Sequence, residues 1–141
     1  VRRRQDDFAP GRQHEVHHRG LTDYFAITPL VDDGAVQVGP FAIECRRTIH
    51  HIPTTALKIR AAGRCLAYSA DTAFDPSLIA WLEDGDLIIH ETNLGVHTPY
   101  AALAALPADL RARMRLIHYP DGFPDSNDAI ARLRQGDRVR V

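Results

Sequence analysis

Four apolar, strand-like runs in this chain end in a side chain that can hold a metal ion or move a proton. "RRTIHHIP" reaches His50, "LAYSAD" reaches Asp71, "DLIIHE" reaches His90 and Glu91, and "RLIH" reaches His118. Loops leaving one edge of a layered sheet build sites in α/β architectures. A chain that fits this pattern must bring those four ends together.

The surrounding pattern reads as hairpins followed by strand–helix alternation. "AVQV" (35–38) and "FAIECRRTI" (41–49) flank the turn pair Gly39-Pro40, and "TALKI" (55–59) and "RCLAYSA" (64–70) flank "RAAG". Each pair predicts a β-hairpin. Asp75-Pro76 is a helix start, with an N-cap and proline at the first helical position. The helix "PSLIAWLED" follows, with Leu78, Ile79 and Leu82 on one face, and Gly85 is its expected C-terminal stop. "DLIIH" (86–90) and "MRLIH" (114–118) are short buried strands. Thr98-Pro99 opens the helix "PYAALAAL" with Thr98 as its cap, and "PADLRAR" is another short helix. "SNDAIARLR" is expected to be helical and "DRVRV" to be a terminal strand. The fold class is therefore α/β (α+β), a mixed sheet with helices on one face.

Composition excludes several function classes. The 141 residues carry a net charge of −1, with Lys58 the only lysine, so no global field draws the chain to nucleic acid or an anionic membrane. No apolar run approaches the ~20 residues of a membrane span, and "VRRRQDDFAP" lacks the apolar core of a secretion signal. The expected compartment is cytoplasmic, with no membrane partner, and Cys45 and Cys65 read as small buried hydrophobes in strands.

Imidazole nitrogen and carboxylate oxygen are ligands of zinc and related divalent ions. A cation would compensate a carboxylate such as Asp71 at a buried strand end. Each residue alone has a plainer reading. His118 would serve as a hydrogen-bonded core residue, Asp71-Thr72 as an Asx turn, and Glu91 as a solvated loop residue. By strand alternation, His51 and His90 point away from their neighbours. "HEVHH" (14–18) reads as a solvated segment.

The ordered set "TIHHIPTTALKI", "YSADT", "IHETN", "GVHTPY" and "MRLIH" over residues 41–123 resembles the second half of the metallo-β-lactamase-fold hydrolases, in their ribonuclease Z-like branch. The resemblance implies the C-terminal half of an αββα sandwich over 35–141. Residues 1–34 would be a polar segment linking to a first half. It implies metal ligands at His50, Asp71 and His118, with Asp71 bridging two divalent ions, zinc by preference and manganese or iron as alternatives. It implies catalytic roles for His97, beside the reacting ester, and for Glu91, which would orient His97. Ala70 replaces the family's glycine, and the family's first motif, His-x-His-x-Asp-His, is not in these 141 residues. One histidine per ion plus a share of Asp71 implies weak metal retention by this segment alone.

The function so implied is a metal-dependent hydrolase, a phosphodiesterase or ribonuclease Z-like endonuclease acting on a small-molecule or nucleic-acid ester. Thioester or lactone hydrolysis on the same fold is an alternative, as is a non-catalytic remnant or interaction domain. Arg111, Arg113, Arg115, Arg132, Arg134, Arg138 and Arg140 would either touch phosphates or line solvated faces. An exposed half-sandwich face favours a homodimer.

Overall fold

The computed structural model describes residues 19–31, 34–123 and 129–141. The "HEVHH" segment lies outside the described residues. Seven strands form one sheet in sequence order: β1 (Ala35–Val38), β2 (Phe41–Arg47), β3 (Thr55–Ala61), β4 (Arg64–Tyr68), β5 (Leu87–Glu91), β6 (Met114–Ile117) and β7 (Ala131–Arg132). β1 to β4 pair antiparallel and β4 to β7 parallel, giving the mixed sheet expected. The helices are α1 (Pro76–Leu82), α2 (Tyr100–Ala104) and α3 (Ala108–Arg113).

The period of two in the strands decides which face is covered. Ala56, Ala67, Ile88 and Met114 share one face through the pairings Lys58↔Ala67, Ala67↔Ile88 and Ile88↔Met114, and all are buried. Leu78, Ile79 and Leu82 of α1, Leu103 of α2 and Leu110 of α3 join them, with Leu116 and Ile130, in one core. All three helices therefore cover the same face. The opposite face presents Leu57, Ile59, Leu66, Tyr68 and Ile89, each only half-buried.

Local chemistry accounts for the element ends. Asp75 is the N-cap of α1, its side chain accepting from the Ser77 amide at 2.8 Å, with Pro76 at N1. Gly85 has a different role from the one its position implies. It is not in the left-handed conformation; it is there for space, because a Cβ would lie 2.8 Å from the Ala67 Cβ. The helix start at Thr98-Pro99 is also corrected. Pro99 is the N-cap residue of α2, and the buried Thr98 hydroxyl donates instead to the Thr72 carbonyl at 2.9 Å. In the segment expected to be helical, the described residues 131–132 form β7, because they continue the sheet beside Arg115 and Leu116. "DRVRV" forms no strand, having no register beyond β7.

Cys45 and Cys65 are buried in β2 and β4, as expected. Arg111 donates to the Leu106 carbonyl, Arg113 to those of Glu83 and Gly85, Arg115 to those of Ala112 and Met114, and Arg132 to that of Phe123. Several of these carbonyls end helices and have no intrahelical partner. No helix among the described residues is long and apolar enough to cross a membrane.

Candidate metal centre

β2 runs antiparallel to β3, and β3 to β4, so β2 points the same way as β4, β5 and β6. All four therefore end at one edge of the sheet. His50 lies in the loop after β2, Asp71 just beyond β4, Glu91 at the last position of β5, and His118 directly after β6. His97 enters from the loop between β5 and α2. Strand direction alone brings these distant residues to one place.

The side chains meet there. His118 Nδ1 lies 3.1 Å from Asp71 Oδ1 and 3.9 Å from Glu91 Oε2. His97 Nδ1 lies 3.1 Å from Glu91 Oε1. The His97 ring is 5.2 Å from that of His50 and 4.9 Å, edge-on, from that of His118. Two sets of potential ligand atoms each lie within 4.8 Å of one another: His50, Asp71 and His97, and Glu91, His97 and His118. His97 belongs to both.

Burial separates the roles. Glu91 is fully buried, not a solvated loop residue. Its Oε1 accepts from the Thr72 amide at 2.9 Å, the Thr98 amide at 3.3 Å and His97. Its Oε2 has no hydrogen-bond partner among the described residues, and neither has the buried Nε2 of His50. An unpartnered buried carboxylate oxygen is costly, and a cation at this edge would remove that cost. The residues present thus fit a divalent metal in both donor type and unfilled bonding capacity.

The two weaker histidines separate as well. His90 is buried on the helix-covered face, with Nδ1 2.6 Å from the Glu91 carbonyl. Burial holds its ring below the usual histidine range, against the pull of that carbonyl and the Glu91 charge. His51 does not turn away as strand alternation implied. Residues 48–54 form a loop rather than a strand, and the exposed His51 ring sits 4.2 Å from that of His50. Burial, and then the charges of Asp71 and Glu91, push up the Tyr68 phenol at the end of β4.

Backbone strain collects at the same edge. Ala70 and His118 are non-glycine residues with φ of 51° each, in the left-handed region that L side chains rarely occupy. The Asn93 side chain donates to the His118 carbonyl at 2.9 Å and holds that turn.

Sequence reading missed a set of hydroxyls beneath the site. Ser69 Oγ accepts from the Glu91 amide at 3.0 Å, and Thr48 and Thr54 both reach the Asp71 carbonyl, at 2.7 and 2.9 Å. The one available signal was that threonines flank the His50 segment, at positions 48 and 54 of "TIHHIPT".

The chain is similar to several known proteins. The cAMP/cGMP-dependent 3′,5′-cAMP/cGMP phosphodiesterase B of Dictyostelium discoideum is 26% identical over 137 residues, covering 84% of this chain and 12% of that protein. The probable metallo-hydrolase YhfI of Bacillus subtilis is 34% identical over 61 residues, 43% of this chain and 25% of that one. The crystal structure of YhfI, a metallo-β-lactamase fold protein, superposes with a TM-score of 0.58 at 26% identity, over 65% of this chain and 41% of that chain. A diphosphatase of the PhnP family shares the fold alone, with a TM-score of 0.63 at 13% identity, over 79% of this chain and 47% of its own. This chain thus spans less than half the length of each of these relatives. The helix-covered mixed sheet is that of a metallo-β-lactamase-fold protein, as the motif order implied. Residues 8–136 match the family described as anti-Pycsar protein Apyc1, and the chain belongs to that family.

Proposed function

We propose that the complete protein is a metal-dependent phosphodiesterase, with His50, Asp71 and His118 as metal ligands and His97 with Glu91 as its proton-handling pair. The observation that carries this reading is the convergence of two donor groups that share His97, each spanning no more than 4.8 Å. The buried oxygen of Glu91 that has no hydrogen-bond partner among the described residues supports it. Zinc is the first choice of ion for such donors, with manganese and iron as alternatives. Bound divalent ions supply polarisation of the phosphoryl oxygen and a water of lowered pKa.

The chain's own residues do the rest. Asp71 has two carboxylate oxygens, one of them already beside His118, so it is the residue suited to bridging. Glu91 fixes the His97 ring through Nδ1, which leaves Nε2 free to give a proton to the leaving oxygen or stabilise its charge. The burial of Glu91 keeps that bond out of water, where it is strongest.

The proposed substrate is a small phosphodiester, and 3′,5′-cyclic nucleotides come first because the Dictyostelium discoideum relative bears that activity in its name. A structured RNA is the second candidate, in keeping with the motif order. The test is hydrolysis by the full-length protein of a cyclic nucleotide, a structured RNA, a thioester and a lactone, side by side. We expect cyclic-nucleotide turnover, lost on treatment with a chelator and restored by zinc or manganese. Turnover of the thioester or lactone alone, or turnover indifferent to chelator, would overturn the reading.

A further inference from the structure

The loop that carries His50 is tied at its base to the residue expected to bridge the metals. Thr48 Oγ1 lies 2.7 Å and Thr54 Oγ1 2.9 Å from the main-chain oxygen of Asp71, and the two hydroxyls touch each other. The Thr48 amide also donates to the Thr54 carbonyl at 3.2 Å, closing the loop on itself. A third link runs from the Ala73 amide to the Ile49 carbonyl at 2.7 Å. Residues 48–54 and 71–73 are thus one hydrogen-bonded unit, built from segments far apart in the chain.

Proton counting shows how the hydroxyls work. Two threonine hydroxyls carry two protons, while three close contacts join them to each other and to Asp71. The Asp71 carbonyl, with two lone pairs, accepts one from each hydroxyl, which leaves the contact between the two hydroxyl oxygens without a proton of its own. Such a double clamp fixes the peptide after Asp71 against the base of the His50 loop. The fixing matters because the preceding residue, Ala70, holds a left-handed φ of 51° that it would leave if released. Relaxation there would swing the Asp71 carboxylate away from His50 and His118.

We propose that Thr48 and Thr54 are positioning residues that set the separation of His50 and Asp71 and thereby the metal affinity of the centre, an inference that rests on the metal-ligand reading above. Both hydroxyls are engaged by the Asp71 main chain and by each other. Their effect passes through the Asp71 main chain, as outer partners of metal ligands commonly act.

The experiment is a competition titration of zinc against a chromophoric chelator, in the full-length protein, with cobalt absorption as a second readout. The variants are Thr48→Val, Thr54→Val, the double variant, Thr54→Ser, His50→Ala and Asp71→Ala. We expect the double valine variant to bind zinc about 10–100-fold more weakly. Thr54→Ser, which keeps the hydroxyl, should bind within about threefold of the parent on the same reasoning. The metal-free melting temperature of each single valine variant, which retains one hydroxyl, should stay close to the parent's while its cobalt spectrum shifts. Parent-like zinc affinity and cobalt spectra in the single and double valine variants, with binding lost in His50→Ala, would overturn the positioning role and leave the ligand assignment standing. Parent-like binding in His50→Ala and Asp71→Ala would overturn both. If the double variant does not fold, the single variants decide, since each tests one hydroxyl.

Discussion

His97 Nδ1 sits 3.1 Å from Oε1 of Glu91, a carboxylate with no solvent exposure. That oxygen already accepts from two backbone amides, so it is fixed before the histidine arrives. The histidine is oriented by a group that cannot itself turn. Glu91→Gln keeps an oxygen for the Thr72 and Thr98 amides, removes the charge and turns the second acceptor, Oε2, into an NH2 donor. We expect turnover to fall about 10–100-fold with the fold intact by circular dichroism. Parent-like turnover would make the pair structural rather than catalytic.

His97→Ala and Asp71→Ala separate proton handling from metal holding. Loss of the His97 ring should lower turnover by about 10²–10⁴-fold while metal content after dialysis stays near the parent's. Loss of the Asp71 carboxylate should remove bound metal and activity together, since it stands beside His118 and within the His50 group at once. His97 stands in both donor groups, so metal loss in His97→Ala would make it a ligand instead.

Much of this site was legible because strand ends are legible. An apolar run broken by a His or an acid marks the sheet edge, and the hairpin turns fix strand direction, so convergence of positions 50, 71, 91 and 118 followed from pattern. Three features were not. Thr98 looked like a cap because Thr-Pro commonly opens helices, yet tertiary packing against Thr72 claimed its hydroxyl. Residues 131–132 carry an apolar-and-arginine pattern that suits a helix, yet the open edge of β6 drew them into the sheet. The Thr48 and Thr54 hydroxyls are invisible to periodicity, since their partner is a main-chain oxygen remote in sequence.

Acid should weaken the fold through two aspartates. Burial raises the Asp75 carboxyl, but bonds from the Ser77 hydroxyl and the Ser77 and Leu78 amides, with the Arg46 charge, outweigh it and hold it below the usual carboxylate range. Burial likewise raises Asp84, and Arg60 and Lys58 outweigh it. A carboxylate lowered on folding stabilises at pH above its unfolded value, and that stability is lost as pH falls through the folded value. Urea midpoints should therefore be flat at neutral pH and drop below about pH 4. Asp75→Asn, which keeps a capping oxygen, should flatten part of that drop. An unchanged acid slope in this variant would remove Asp75 from the account.

Gly85 gives a test of packing without chemistry. A methyl there would lie 2.8 Å from the Ala67 Cβ and 3.2 Å from both Ile88 Cγ1 and the Leu82 carbonyl. None of these is the free end of a flexible chain, so β4, β5 or the end of α1 must shift. Gly85→Ala should cost about 1–3 kcal/mol in chemical denaturation, with zinc affinity unchanged in the folded protein. A neutral result would mean that the end of α1 yields.

Ala70→Gly tests whether the strain at the site edge is real. Ala70 is buried at φ 51°, a conformation that costs an L residue about 1–2 kcal/mol and glycine almost nothing. Glycine also gains freedom in the unfolded chain, which offsets about 0.4–1 kcal/mol of that relief. The net expectation is a gain of about 0–1.6 kcal/mol in unfolding free energy. The hydrogen bonds on either side, Ser69 Oγ to Glu91 and the threonine pair to Asp71, do not depend on the Ala70 side chain. Zinc affinity should therefore hold while denaturant midpoints rise. A destabilised Ala70→Gly protein would show that the methyl group's buried contacts outweigh its backbone strain, and that the left-handed turn before Asp71 is held by packing.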